Sequence, residues 1–365
     1  MPGWHKKTKD LMAAGKLNVA GIVQEQHPDR ASLYMQWQQM DWPVLADPFN
    51  DLGISAVPIT LLVDEYGIIR FKNPKLDDLK TFLNTSYSNK GKKQSVRELS
   101  KDIDELVKLT SDKKLTSNQA ARAHFRLGVA YRMRFDSSRP KVEDFQHALE
   151  HWQKALELTP SQYIWRRRIQ QYGPRLDKPY SFYDWVMRAR EDILKRGENP
   201  IPLGAEPSGA EFAVPSKANE KAFANKNLLQ EHPDPQNRLP LDAQSLVSNS
   251  VVIVPSTNKK QSAVRVYLTL QLAEQTSWTN DAGNVSFHLD PDSDAKIKDL
   301  KIPVLPSKEN SSESRVIEFE LHPKKGKTLP KEIHGSVFYY VCTKTDHTCQ
   351  FLRQNIKTEL KVVSQ

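Results

Sequence analysis

The stretch AVPITLLVDEYGIIR, residues 56–70, predicts two short strands joined by a tight turn. Pro58 opens the first apolar run, and a second apolar run follows the turn. The turn from Asp64 to Gly67 has the residue types that tight turns favour. A proline here either simply begins a strand or belongs to a cis peptide bond. We expect a cis Val57–Pro58 bond, because cis bonds are essentially a proline feature of tight, shaped turns.

Helices and strands alternate on both sides of this hairpin. The run LNVAGIVQEQ, residues 17–26, predicts a buried strand, and helices are expected before it, after it and from Leu76 to Tyr87. With the motifs VAGIVQEQ, WPVLADP, AVPITLLVD and YGIIR, residues 1–90 resemble the C-terminal two-thirds of the thioredoxin-like fold of peroxiredoxins and envelope reductases. That resemblance implies thiol–disulfide oxidoreductase or peroxiredoxin-like antioxidant activity, with Pro58 beside a Cys-x-x-Cys pair.

The Cys-x-x-Cys pair itself is absent, since the first cysteine of the chain is Cys342. In the family it opens a helix whose N-terminus lowers the thiol pKa. We expect Met1 to be an internal methionine of a longer protein, cut just after the pair. The lost strand would lie between the strands at Val19 and Pro58, which would leave two unpaired edges. The first domain is therefore expected to be inactive and to have low stability.

Composition and charge argue against some classes of function, such as membrane-spanning and nucleic-acid-binding proteins. The 365 residues have a mean hydropathy of −0.62 and a net charge of +9, and residues 91–200 hold 23 basic and 15 acidic side chains. No apolar run is long enough to span a membrane. The basic region lacks the aromatic interleaving of nucleic-acid modules, so we expect no nucleic acid there. We also expect no cofactor. The cell envelope is favoured over the cytoplasm if the full-length chain carries an upstream signal.

Residues 91–200 predict a basic helical module. Two helices resemble one tetratricopeptide unit, carried by Leu127, Gly128, Tyr131, Ala148, Trp152, Ala155 and Pro160. The pair departs from the repeat by an eight-residue insertion around residues 136–142. Because arrays need about three units, a spacer or protein-docking role is expected. The aromatic residues between positions 163 and 185 predict either a docking surface or a core that closes the module.

The last two segments are a proline-rich linker, residues 201–249, and a β domain, residues 250–365. The run AVRVYLTLQL alternates apolar and polar side chains and predicts a half-buried strand of an antiparallel sandwich. The motifs WTNDAG, GSVFYYVC and CTKTDHTCQ resemble the N-terminal domain of the bacterial thiol:disulfide interchange protein. That resemblance implies an immunoglobulin-like sandwich that passes electrons through two cysteines.

Three interpretations of Cys342 and Cys349 stay open. They are a redox-active disulfide, a structural bridge that pins a hairpin, or a metal site with His347 or His334. The sequence thus predicts a multidomain α/β, α and β protein: a truncated thioredoxin-like domain, a tetratricopeptide-like module and an antiparallel β-sandwich. We expect a thiol–disulfide redox protein with a protein thiol or disulfide partner. The alternative is a non-catalytic scaffold with a structural disulfide.

Overall fold

The computed structural model describes residues 2–89, 102–137, 140–175, 182–207, 209–212, 232–257, 262–344 and 348–360. Over these ranges the chain is a mixed α/β protein with eight α-helices and thirteen strands. Its contacts form two compact units. Unit 1 is Met1–Pro140, His147–Arg167 and Arg188–Glu206, and unit 2 is Lys141–Gln146, Arg168–Met187 and Pro207–Gln365. The four-part division drawn from the sequence stays a prediction.

The first part of unit 1 follows the predicted order of elements, with one addition. The elements are α1 (Pro2–Ala13), β1 (Gly21–Val23), α2 (Pro28–Trp37), β2 (Val44–Ala46), β3 (Leu61–Val63), β4 (Ile69–Lys72) and α3 (Leu76–Leu83). The sequence analysis missed β2, since three residues are too few to show a period. β1 pairs in parallel with β2, and β3 pairs antiparallel with β4. Within the described residues no strand joins these two sheets.

The helical region comprises α4 (Ile103–Thr110), α5 (Ser117–Phe135), α6 (Asp144–Leu158), α7 (Tyr163–Tyr172) and α8 (Trp185–Lys195). Thr116 and Gln119 form a capping box that begins α5. At Gly128 of α5 an added Cβ would lie 2.5 Å from Trp152 of α6, so this approach requires a glycine. The aromatic residues Trp165, Tyr172, Phe182 and Tyr183 are buried. They are core residues, which favours the core interpretation over an exposed docking surface.

Unit 2 contains two antiparallel sheets. Its strands are β5 (Val247–Pro255), β6 (Val264–Leu272), β7 (Thr276–Thr279), β8 (Ser286–Leu289), β9 (Ala295–Lys301), β10 (Asn310–Ser311), β11 (Arg315–Pro323), β12 (Glu332–Thr343) and β13 (Cys349–Glu359). One sheet has the order β5-β6-β11-β9. The other has the order β10-β7-β12-β13, with β8 also paired to β12. Side chains of both sheets, such as Leu270, Phe319, Val337 and Leu352, form one apolar core. The prediction of two packed antiparallel sheets is confirmed.

Strand β6 differs from its prediction, because both of its faces are buried over Val264–Leu270. On the face away from the core, the Tyr267 hydroxyl donates to the Tyr172 carbonyl at 2.8 Å. Arg265 on the same face pairs with Asp299 and Glu318 at 2.6 and 2.9 Å. The strand was expected to be half-buried. Alternation in the sequence does not show that residues around Tyr172 cover the polar side.

The described ends of the proline-rich segment are fixed by hydrogen bonds, although a linker with little fixed structure was expected. In unit 1, Gly204 N–H donates to Asp29 and the Arg30 guanidinium donates to the Ala205 carbonyl at 3.0 Å. In unit 2, the Asp242 carboxylate accepts from the N–H groups of Leu246 and Val247, both at 2.9 Å. Most of its middle, residues 213–231, lies outside the described residues. Among the described residues, no helix combines the length and apolarity of a membrane span.

Candidate functional site

The two cysteines form a disulfide between adjacent strands. In the register of β12 and β13, Cys342 lies directly opposite Cys349, and their Cα atoms are 4.0 Å apart. The next pair exchanges a backbone hydrogen bond, from Thr343 N–H to the Thr348 carbonyl at 2.9 Å. The cysteines therefore occupy a non-hydrogen-bonded pair, in which opposed side chains are closest. The predicted pairing across a hairpin is confirmed.

A hollow lined by polar residues borders the disulfide on the side of β7, away from β13. β12 also pairs with β7, which places Ser277 opposite Cys342, and β10 extends the sheet beyond β7. The hollow is open, has a volume of about 430 Å³ and contains both cysteines in its lining. Its other lining residues are mostly polar: Ser277, Thr279, Glu309, Asn310, Ser311, Ser312, Thr343 and Lys344. Hydroxyl and amide groups thus surround the bridge on this side.

Trp278, which follows Ser277 in β7, lies in the apolar core of the sandwich. Its side chain is fully buried, and its indole N–H donates to the Glu313 carbonyl at 2.7 Å. The Arg315 guanidinium lies 4.6 Å from the centre of the same ring. A ring fixed on both sides keeps β7 in place beside the disulfide.

The two cysteine residues differ in accessibility. Cys342 is only 8% exposed, whereas Cys349 is exposed. Thiol–disulfide exchange proceeds by attack of a thiolate on one sulfur of the bridge, and access helps to decide which sulfur is attacked. Cys349 is therefore the more accessible residue of the bridge.

An aromatic pair lies on the same sheet face as the cysteines. Tyr340 of β12 and Phe351 of β13 are opposite each other, two residues from Cys342 and Cys349, respectively. Their rings stack with centres 4.3 Å apart and planes 20° apart, and both side chains are half-buried. The sequence analysis quoted the motif that contains Tyr340 but missed Phe351. Strand alternation was the available signal, since residues i and i+2 share a face.

The metal interpretation fails for His334. This residue lies near the opposite end of β12 from Cys342, and its Nε2 is 3.0 Å from a carboxylate oxygen of Glu332. No group of three or more histidine, cysteine or acidic side chains in the described ranges could hold a metal ion. His347 lies outside the described residues.

Pro58 belongs to the other unit. The Val57–Pro58 bond is cis, as the sequence predicts. Pro58 lies in unit 1 and both cysteines lie in unit 2. The role of Pro58 beside a thiol pair stays a prediction.

Comparisons with known proteins add little. No protein-family model matches the chain, and no curated protein matches it. Among solved structures, it is similar to the reduced N-terminal domain of DsbD from Neisseria meningitidis, with 8% identity, a TM-score of 0.16, and coverage of 26% of this chain and 76% of that one. It is also similar to the GAE domain of yeast GGA1, with 14% identity, a TM-score of 0.20 and coverage of 31% and 88%. A FixG-related protein from Vibrio parahaemolyticus has 10% identity, a TM-score of 0.16 and coverage of 32% and 98%. Likenesses at such TM-scores carry no functional argument.

Proposed function

We propose that this protein is a thiol–disulfide redox protein and that its Cys342–Cys349 bridge exchanges with the thiols of a partner protein. One observation carries the proposal: Cys349, the exposed residue of the bridge, lines an open hollow. A bridge with one exposed cysteine supports the first requirement of exchange, which is access for the attacking thiolate.

The reaction would proceed in two displacements. A partner thiolate attacks the Cys349 sulfur, the Cys342–Cys349 bond breaks, and Cys342 leaves as a thiolate that takes up a proton. The mixed disulfide between Cys349 and the partner is then attacked by a second partner thiolate. Cys349 leaves and is protonated in turn. The partner loses two electrons and two protons as its dithiol becomes a disulfide, and this chain gains them.

The finer family assignments belong to the same proposal. The element order of residues 2–89 and the cis Val57–Pro58 bond support a thioredoxin-like domain, and the given sequence does not include its Cys-x-x-Cys pair. The close packing of Gly128 on Trp152 supports a tetratricopeptide-like helix pair that docks another protein. On this account the dithiol chemistry resides in unit 2 alone.

A second candidate is a non-catalytic scaffold whose disulfide is structural. Two in-register pairs of exposed apolar side chains favour it, because such pairs suit a binding surface: Ile22 with Leu45, and Val63 with Ile69. The strands β12 and β13 are also paired over eleven positions from Glu332 to Cys342, so the bridge joins strands that are already aligned.

The test is the reduction of a chromogenic aromatic disulfide by the pre-reduced full chain. The wild type should release the coloured thiol, and C342S/C349S should not. C342S should react through the exposed Cys349 and stop at the mixed disulfide, whereas C349S should react more slowly because Cys342 is buried. A double variant as active as the wild type would reject the proposal, and an inert wild type would favour the scaffold.

A further inference from the structure

We infer that the stacked pair Tyr340 and Phe351, called here the aromatic platform, selects protein thiols that carry an aromatic residue two positions from the cysteine. The inference rests on the proposed exchange at Cys349 and names the substrate class of that site.

The platform is built into the same surface as the disulfide. Tyr340 and Phe351 are paired in register, as are Cys342 and Cys349. Each platform residue is two positions from a cysteine on its strand, so all four side chains leave the same sheet face. Two residues of a strand span about 7 Å, which is the distance from the bridge to the platform along the sheet.

The aromatic row becomes more accessible towards the disulfide. Phe338, two residues before Tyr340 on β12, is fully buried, and the rings of His232 and His288 pack against it at 5.3 and 5.6 Å. Tyr340 and Phe351 are half-buried. The half-buried pair is thus the part of this aromatic row that lies next to the bridge in the register of β12 and β13.

One edge of the platform is already shaped by backbone. Gly283 has a φ of +139°, and a Cβ added there would lie 3.3 Å from Tyr340 Cε2. The loop approaches the tyrosine ring this closely only because it presents no side chain. The Gly283 loop thus lies beside the Tyr340 ring, which also stacks on Phe351.

The aromatic platform on one side of the disulfide and the hollow on the other suit an extended polypeptide. In an extended segment, residues i and i+2 lie on one side and are separated by about 7 Å. A segment whose cysteine reaches Cys349 can therefore place the side chain two positions away on the platform. The hollow on the other side offers Ser277 and Asn310 to polar backbone groups of the segment. A small thiol such as glutathione has no ring to stack on the platform.

The test compares three thiols with the oxidised full chain. One peptide has tryptophan two positions after its cysteine, a second has glutamine there with the same length and charge, and the third thiol is glutathione. Rates of bridge opening are measured by acid quench, alkylation and mass spectrometry. The tryptophan peptide should react about two- to tenfold faster than the glutamine peptide, since an aromatic pair contributes on that scale. A peptide with tryptophan one position after the cysteine should lose this advantage.

Variants separate the platform from the disulfide. Y340S and F351S should each lower the ratio of tryptophan-peptide to glutamine-peptide rates towards one, while F351L should keep part of it. Each peptide rate is divided by the glutathione rate of the same variant, which corrects for any change at the bridge itself. Y66S alters a partly exposed tyrosine of unit 1 and should leave the ratio unchanged. Equal peptide rates in the wild type, with glutathione still reacting, would overturn the inference and leave the proposed function standing. No reaction with any of the thiols would overturn both.

Discussion

Among the described residues of the sandwich, Arg265 is the most completely buried cation, and three carboxylates lie next to it. Its guanidinium lies within 3.4 Å of the nearest carboxylate oxygens of Asp299, Glu318 and Glu320. Burial acts against the charged form, but Glu318 and Asp299 outweigh it and raise the pKa of Arg265 above its usual value. The carboxylates therefore stabilise the charged form of Arg265 in the folded state, and Arg265 in turn compensates their negative charge.

We predict that Arg265→Leu lowers the free energy of unfolding by about 3–5 kcal/mol, because it leaves buried carboxylates uncompensated. Chemical denaturation followed by tryptophan fluorescence measures the loss. Lys357→Leu is the matched control, since Lys357 forms an exposed pair with Glu332 at 3.1 Å and should cost about 1 kcal/mol or less. A loss at Arg265 no larger than at Lys357 would contradict this account.

His151 is a residue whose titration should link stability to pH. Burial, followed by the neighbouring His124, lowers the pKa of His151 from 6.5 to about 4. The Nδ1 atoms of the two rings are 2.8 Å apart, His147 adds a further unfavourable charge when protonated, and Glu150 acts in the opposite direction. The folded protein thus keeps His151 neutral where an unfolded chain would protonate it.

Above about pH 6.5, His151 is neutral in both the folded and the unfolded chain, so its titration costs no stability. As the pH falls from about 6.5 to about 4, the unfolded chain takes up a proton that the folded chain refuses, so stability is lost. We predict that His151→Gln weakens the pH dependence by an amount on the order of 1–2 kcal/mol, after allowance for solvent screening. Thermal unfolding followed by circular dichroism at pH 7 and pH 5 measures it. An unchanged dependence in His151→Gln would reject the prediction.

At the scale of elements, β1 and β3 each have an open edge. Gly21 N–H donates to the Pro43 carbonyl at 2.8 Å, and the Val23 carbonyl accepts from Asp47 N–H at 2.7 Å. In a parallel ladder the backbone of the residue between them, Ile22, then points to the opposite edge. No described strand pairs with that edge. The same holds for the edge of β3 away from β4.

We predict that the Ile22 amide exchanges its hydrogen faster than the Gly21 amide, because only the latter donates a described hydrogen bond, to the Pro43 carbonyl. Hydrogen exchange with residue resolution tests this on the full chain. The amides of β12 provide an internal reference, since that strand is paired on both sides over Val341–Cys342. Equal protection of Ile22 and Gly21 would show that another strand covers the edge.

The sequence predicted elements well where the pattern is local. Alternation identified β6, and the turn chemistry after Val63 identified the β3–β4 hairpin with its cis proline. The spacing of the cysteines and their motifs indicated the hairpin that joins Cys342 to Cys349. Contacts distant in sequence could not be read in this way, which is why the covered outer face of β6 was missed. At the site, Phe351 was missed because its importance comes from its neighbour Tyr340 across the sheet.

At the scale of the whole molecule, both cysteines of the chain lie in unit 2. A dithiol reaction of this chain can therefore take place only at the end of β12. The cysteines are seven positions apart in sequence, so closing this small loop contributes only about 2–3 kcal/mol in the chain-entropy account. A bridge of limited value to stability, with one exposed cysteine residue, is consistent with a bond that is opened and closed in use.

The central claim, that Cys342–Cys349 is a reversible redox pair, is tested most directly by its reduction potential. The full chain is equilibrated in glutathione buffers of known potential, quenched and alkylated, and its free thiols are counted by mass spectrometry. The account predicts one two-electron transition at a potential of roughly −180 to −270 mV, the range of exchanging protein disulfides. A bridge that is reduced only below about −300 mV, or two thiols that never pair in oxidising buffer, would contradict it.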